Sequence, residues 1–195
     1  ATLIILFTIY GAFLQYSGAG KFFLDFSFAL MGGKTTSAGR AVVLSSFLLG
    51  GPSGSGVATT VTIGSVAYPM LKKSGYDPAA AGGLLSAGGL GAILSPPVLG
   101  AAAFLIAEFL KISYLEVVKM AAIPTVLYYF SLYFMVELDA RKYGMSEAAF
   151  EAVQSAWTLT RRYWYHFLSL ASIVVFMVMG FSPTLSVFWA TVTSF

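Results

Sequence analysis

The 195-residue chain is 58% apolar and 10% charged, carries 20 glycines and no cysteine, and has a formal net charge of +3. Soluble domains carry about 25% charged residues, so this composition points to an integral membrane protein. It excludes disulfide frameworks, thiolate metal sites and thiol nucleophiles, and with no basic run longer than two residues it excludes nucleic acid as a partner. The single histidine, His166, cannot build a histidine metal site alone. The chain starts and stops inside apolar segments, without a basic leader or a small-residue cleavage site, which predicts a fragment of a longer protein.

A membrane helix needs about 20 apolar residues. Residues 3–16 form one apolar block. Residues 22–31, with Asp25 among them, are too short to cross and suit an interfacial or re-entrant arm, so 1–40 read as a membrane helix plus this arm. Residues 41–71 hold no charge and are long enough to span, yet their middle reads Gly50-Gly51-Pro52-Ser53-Gly54-Ser55-Gly56. Proline removes a helical donor and clashes with the preceding turn, and each glycine costs about 1 kcal/mol, so the expected break is residues 52–55. Two arms too short to cross remain, forming either one broken span or a hairpin that enters and leaves on one side. Lys34 and Arg40 precede the stretch and Lys72 and Lys73 follow it. A crossing would put one pair outside, against the tendency of Lys and Arg to stay cytoplasmic, so the hairpin is favoured.

Residues 79–110 are apolar until Glu108 and are interrupted by Gly88, Gly89, Gly91 and then Ser95-Pro96-Pro97. The residue before a proline leaves helical geometry, which predicts two half-helices joined at 95–97, close in space to the first break. Lys111, Glu116 and Lys119 sum to zero with Glu108, as suits an outside loop. Residues 113–138 return across the membrane, with a kink expected at Pro124, and Tyr128, Tyr129 and Tyr133 read as packing residues. Residues 139–162, with Arg141, Lys142, Arg161 and Arg162, form a cytoplasmic linker whose middle at 145–156 is polar and compatible with a helix. Residues 163–195 hold Tyr163, Trp164 and Tyr165 as an aromatic belt and one last span over 166–188. Asp25 and Glu108 are ionisable near membrane depth but close to helix ends, which favours snorkelling. His166 beside the aromatic cluster reads as interfacial structure.

Backbone groups cannot be left unpaired facing lipid, so two unwound stretches at membrane depth must line a cavity or bind something. Freed carbonyls and hydroxyls are hard oxygen ligands that suit sodium, while half-helix N-termini suit an anion. The expected cation ligands are Ser53, Gly54, Ser55, Gly91 and Ser95. The expected substrate contacts are Gly56, Thr59, Thr60, Pro96 and Pro97. Helix packing is the competing account of the glycines between 82 and 91. The Gly-Lys-Ser/Thr ending of a phosphate-binding loop is missing, and no nucleophile–base or carboxylate pair appears, so no catalytic residue and no enzyme is expected.

The run 50–62, with Ile63-Gly64-Ser65 and Pro69-Met70-Leu71-Lys72-Lys73-Ser74-Gly75-Tyr76 after it, resembles the large membrane subunit of TRAP transporters. The second break, with Ser95-Pro96-Pro97 and Gly100-Ala101-Ala102-Ala103-Phe104, resembles the proline-pair segment of that family. The Ala-Ala-Phe ending with Glu108 after it, the stretch from Phe13-Leu14 to Ser17-Gly18-Ala19-Gly20, and the 164–183 region are similar to the TAXI branch, whose permeases are often fused to the small membrane subunit. The chain departs from the pattern at Gly56, where a second serine is usual, at Thr59, where that branch often has asparagine, and over 90–94. The resemblance covers nearly the whole chain. It implies an all-α, elevator-type permease of a bacterial or archaeal cytoplasmic membrane, with a re-entrant hairpin and a discontinuous helix. It further implies sodium-coupled import of a carboxylate-type organic anion delivered by a periplasmic binding protein, a small membrane subunit as partner, and no cofactor beyond the coupling sodium. The family has two inverted repeats, and this chain matches the first and the start of the second. A channel-like protein and a structural membrane subunit without transport are the alternatives; two dissimilar breaks in sequence disfavour a symmetric channel filter.

Overall fold

Residues 2–31, 36–143 and 155–193 are described in the computed structural model, and all nine elements among them are helices. The polar stretch expected at 145–156 falls almost wholly outside these residues. Helix α1 (Thr2–Tyr16) turns at Gly18 into α2 (Ala19–Met31). The residues expected to form an interfacial or re-entrant arm, 22–31, lie in α2 and are packed. Phe22, Phe23, Leu24 and Phe28 of α2 are buried, and the helix packs against both α3 (Ser37–Ser53) and α8 (Ala156–Val178).

The centre is built from α3, α4 (Gly56–Lys73) and α5 (Pro78–Leu94), and small residues set their directions. A β-carbon on Gly88 would fall 2.3 Å from Ser46 Oγ, and one on Gly50 would fall 2.8 Å from Ala92 Cα, so α3 and α5 run in parallel. A β-carbon on Gly56 would meet Gly89 O at 3.0 Å, whereas Thr60 donates to Leu85 O at 3.5 Å and Gly64 faces Leu85, so α4 and α5 run in opposite directions. Helices α3 and α4 are therefore the antiparallel arms of a hairpin, with α5 packed along both. Ile63, Ala67, Leu71, Val42, Leu49 and Leu85 bury their side chains in the seam.

The first break is shorter than expected. Helix α3 continues through Gly50, Gly51 and Pro52 to Ser53, and only Gly54 and Ser55 leave helical geometry. Pro52 sits in the last turn, where its missing donor costs a single bond, and the N–H of Gly54 still reaches Gly50 O at 3.0 Å. The arms are 17 and 18 residues long, longer than the flanking charges suggested, because α3 starts at Ser37 and so takes Arg40 into its first turn.

The far end of the hairpin closes in a Schellman motif. Gly75 at φ +94 lets Tyr76 N–H reach Leu71 O at 3.1 Å, and Asp77 then caps α5 by accepting from Ala79 N–H at 3.1 Å. Both hairpin roots meet α7 (Tyr114–Tyr143) near its C-terminus. Arg40 pairs with Glu137 and lies 5.1 Å from the Tyr133 ring centroid, while Arg141 approaches Glu137 at 3.8 Å. The Tyr76 hydroxyl is buried against Gly39 with no hydrogen-bond partner among the described residues; burial, helped by Asp139, pushes its pKa up to about 12.

The second break is longer than expected, running from Ser95 to Ala101 before α6 (Ala102–Leu110), a helix of only nine residues. Helix α7 runs on through Pro124 and is about 45 Å long. Among the described residues it is the one helix long and apolar enough to cross a membrane by itself. Ile123, Val126, Leu127 and Phe130 on its outer side are each more than half exposed, an apolar surface suited to lipid. The single span expected over 166–188 is two helices. Helix α8 begins ahead of the aromatic belt, bends at Tyr163 and ends at a second Schellman motif around Gly180 (φ +89), where Phe181 N–H reaches Phe176 O at 3.1 Å. Helix α9 (Pro183–Thr193) then turns back to pack on α8 and α1.

Candidate functional site

The hairpin tip is a two-residue reversal. Gly54 at φ +56 and ψ 9 caps α3 in the left-handed region, and a β-carbon there would also fall 2.3 Å from Leu99 O. Glycine is required twice over. Ser55 is extended and caps α4, its Oγ accepting from Ala58 N–H at 3.3 Å. Ser53 Oγ is the hub of the tip: it lies 2.7 Å from Thr59 Oγ1 and accepts from Ser55 N–H at 3.3 Å.

The two breaks touch, as their chemistry predicts. Val98 N–H donates to Gly51 O at 3.1 Å, and Gly51 has no room for a β-carbon because Pro96 O would lie 2.5 Å from it. Inside the second break Gly100 N–H reaches back to Ile93 O at 2.8 Å and Leu99 N–H to Ser95 O at 3.2 Å. Hydroxyls of α7 reach carbonyls of the break and of α5 before it. Thr125 Oγ1 donates to Leu94 O at 2.6 Å, Tyr128 OH to Ala87 O at 2.7 Å, and Tyr114 OH to Val98 O. Ser95 Oγ, fully buried, donates to Gly91 O at 2.7 Å and lies 3.1 Å from Tyr129 OH.

A cavity of about 890 Å³ opens where the breaks meet. Its walls are the tip from Ser53 to Gly56, Thr60, the second break from Val98 to Ala101, Gly11 and Ala12 of α1, and Ser86, Leu90 and Ile93 of α5. Among the described residues no charged side chain lines it. The N-termini of α4 and α6 both reach it with their partial positive charge, although Ser55 Oγ already takes Ala58 N–H and the Gly100 and Ala101 carbonyls take Ala103 N–H and Phe104 N–H.

Of the residues singled out from sequence, Ser53, Gly54, Ser55, Gly56 and Thr60 line this cavity. Thr59 is fully buried beneath Ser53. Gly91 and Ser95 face Tyr129 on α7 and do not line the cavity, and neither do Pro96 and Pro97. Of the carbonyls that Pro96 and Pro97 deprive of a helical donor, Ile93 O is taken by Gly100 N–H, while Thr125 and Tyr114 meet Leu94 O and Val98 O beside it. Sequence reading passed over the 98–101 wall and gave the α7 tyrosines packing roles. The signal lay in Gly100-Ala101-Ala102, a small-residue entry to a half-helix, and in the spacing of 114, 125, 128 and 129. A second, polar cavity of about 540 Å³ lies between the α1–α2 turn and the α8 bend, and holds Lys21, Asp25 and His166. Glu108 is surface-exposed and paired with Lys111 at 3.1 Å. No group of three or more metal-ligating side chains occurs among the described residues.

The family model described as "Tripartite ATP-independent periplasmic transporter, DctM component" matches residues 1–195. The chain is similar to the C4-dicarboxylate TRAP transporter large permease protein DctM of Rhodobacter capsulatus, 25% identical over 191 residues covering 91% of this chain and 43% of the relative. It is 30% identical to the 2,3-diketo-L-gulonate TRAP transporter large permease protein YiaN of Escherichia coli strain K12 over 115 residues, 59% of this chain and 27% of that one. It is 33% identical to the C4-dicarboxylate TRAP transporter large permease protein DctM of Pseudomonas aeruginosa over 94 residues, 48% of this chain and 22% of that one. The chain spans less than half the length of each of these curated relatives.

Proposed function

This chain belongs to the DctM component family of tripartite ATP-independent periplasmic transporters, and we propose on that premise that its cavity is half of a sodium-coupled import site for an organic carboxylate. The family is one of membrane transport permeases, not of enzymes. The observation that carries the reading is the convergence of two half-helix N-termini, at Gly56 and Ala102, on one cavity beside a tip rich in oxygen atoms. In a site without charged side chains, main-chain N–H groups and the partial charge of helix ends are what recognise a carboxylate. Thr60 and Ser86 add hydroxyls on the α4 and α5 walls. The hydroxyls of Ser53 and Ser55 and the Gly54 carbonyl are the sodium ligands in this reading, since a hard cation takes hydroxyl and carbonyl oxygens. Two relatives are named for organic acids, a C4-dicarboxylate and 2,3-diketo-L-gulonate, which supports the substrate class.

The hairpin and the broken helix would travel as one elevator body, a reading supported by the Val98–Gly51 bond and the close glycine contacts along α5. A periplasmic binding protein would deliver the substrate and a small membrane subunit, separate or fused, would complete the transporter in the cytoplasmic membrane. The Ala101-Ala102-Ala103-Phe104 motif supports the TAXI branch. The test is uptake of a labelled carboxylate by the intact transporter in liposomes with its binding protein, with and without an inward sodium gradient. Accumulation that follows the gradient supports the reading; uptake indifferent to sodium defeats it.

A further inference from the structure

Tyr114, Thr125, Tyr128 and Tyr129 share one face of α7, because 125 to 128 or 129 is one turn and 114 to 125 is three. All four send a hydroxyl to the discontinuous helix, at Val98 O, Leu94 O, Ala87 O and Ser95 Oγ respectively. These contacts sit at and just before the segment where α5 stops supplying its own donors. We propose that Thr125 and Tyr129 are positioning residues for the cavity: their hydroxyls set where the second break lies and so where the 98–101 wall stands. This role rests on the transport reading given above.

The geometry links these two hydroxyls to the cavity through short covalent and hydrogen-bonded paths. Thr125 fixes Leu94 O, the last residue of α5, and the neighbouring Ile93 O holds Gly100 N–H at 2.8 Å. Tyr129 meets Ser95 Oγ, whose own backbone carbonyl holds Leu99 N–H at 3.2 Å. Leu99 and Gly100 both line the cavity. Thr125 is 3% exposed, and its single hydroxyl proton is shared between Leu94 O and Ala121 O at 2.7 Å, so it holds a local bond on α7 with or without α5. Losing the Thr125 hydroxyl leaves α7 intact and takes a donor from Leu94 O, and losing that of Tyr129 takes away the acceptor that Ser95 Oγ faces. In an apolar surround an orphaned acceptor is costly, and the break must shift to recover a partner.

The test compares the intact transporter with Thr125→Val, Thr125→Ser and Tyr129→Phe. Thr125→Val keeps the shape without the donor, and Thr125→Ser keeps the donor. The expected result is a rise of about threefold to tenfold in the carboxylate half-saturation for Thr125→Val and Tyr129→Phe, with saturated uptake held within about twofold and Thr125→Ser matching the parent. The wall is read separately, without substrate, from the rate at which a maleimide labels Ala101→Cys; the same two variants should change it at least about threefold and Thr125→Ser should not. A parent that takes up no carboxylate sinks the transport reading, while the labelling rates still decide the positioning role. Labelling rates equal in all backgrounds overturn the proposal. A loss in Thr125→Ser as large as in Thr125→Val overturns it too.

Discussion

Val98 and Gly51 share one main-chain hydrogen bond, N–H to carbonyl at 3.1 Å, and through it two helix interruptions far apart in sequence satisfy each other. Neither break is an ordinary loop. The carbonyl at Gly51 belongs to the last turn of α3, which has no donor of its own to offer, and the N–H at Val98 belongs to a segment that proline has stripped of helical partners.

The tip serines differ in what their loss should do. Ser53→Ala removes a hydroxyl that bonds Thr59 and faces the cavity, and should raise the sodium needed for half-maximal uptake by about threefold to tenfold. Ser55→Ala also removes the cap of α4 and should cost about 1 kcal/mol of stability, which Ser55→Thr should restore. Ser65→Ala, on the exposed face of α4, serves as control. Sodium titrations of uptake and thermal unfolding together check this; an unaltered sodium curve in Ser53→Ala would remove that hydroxyl from the site.

The glycines should divide by what they face. Gly54→Ala meets a carbonyl oxygen and an unfavourable backbone conformation, and should lose at least about 1–2 kcal/mol; Gly51→Ala, against Pro96 O, should also be damaging. Gly83→Ala, with nothing within 4 Å and a place inside α5, should gain up to about 1 kcal/mol. Thermal unfolding of the purified protein separates the two groups, and equal midpoints would contradict the close packing at the tip.

Arg40 and Glu137, with side chains only 13% and 25% exposed, should be energetically coupled. Removing either by Gln substitution should cost about 1–3 kcal/mol, and the double substitution less than the sum. A double-mutant cycle in unfolding measures this; strict additivity would mean that the pair contributes packing alone.

How much of this could be read from the residues depended on whether the cause was local. Proline and glycine act on their own backbone, so the existence and approximate place of both breaks were legible. Where each break stops was not, because α3 accommodates Pro52 in its last turn and α5 to α6 needs several residues to re-enter a helix. Ser53 and Ser55 were legible as tip oxygens for the same local reason. Ser95 was misplaced because its partner, Tyr129, comes from a helix whose rotation against α5 no local pattern states. The stop at Gly180 went unread, because the stretch on both sides of it is apolar and long enough to pass for one span.

The ends of the protein's helices define its sides. Lys73 and Lys142 are exposed near the two hairpin roots and the α7 C-terminus, and Lys111 is exposed at the other end of α7. Cysteines placed at 73 and 142 should react with an impermeant maleimide from the cytoplasmic face and one at 111 from the opposite face. Labelling of 73 and 142 from different faces would contradict the hairpin.

Tyr76→Phe should leave stability at pH 7 unchanged or raise it by up to about 1 kcal/mol, since the hydroxyl is buried without a partner among the described residues. Its pKa in the fold stands at about 12 against 10.0 ordinarily, so the preference of the neutral hydroxyl for the fold is fully present below pH 10 and is lost as pH rises through about 12. The variant should therefore lose less stability between pH 9 and pH 12 than the parent. Unfolding midpoints across that range check it, and identical alkaline limbs would show the hydroxyl to be solvated.

The directions of the helices carry an electrostatic consequence. Helices α3 and α5 end at the cavity, and α4 and α6 begin there, so two C-termini and two N-termini meet in one layer. Each end carries roughly half an elementary charge, negative for the first pair and positive for the second, and the four sum to about zero. The helix ends by themselves thus impose little net field on the hydrocarbon around the cavity. A lone cation or a lone anion leaves a whole charge in a medium that screens poorly, whereas a cation beside the C-termini and an anion beside the N-termini keep the assembly neutral. Because this balance is written into chain direction, an exchange among uncharged side chains leaves it in place, whereas a charged side chain brought to the cavity would outweigh any one helix end.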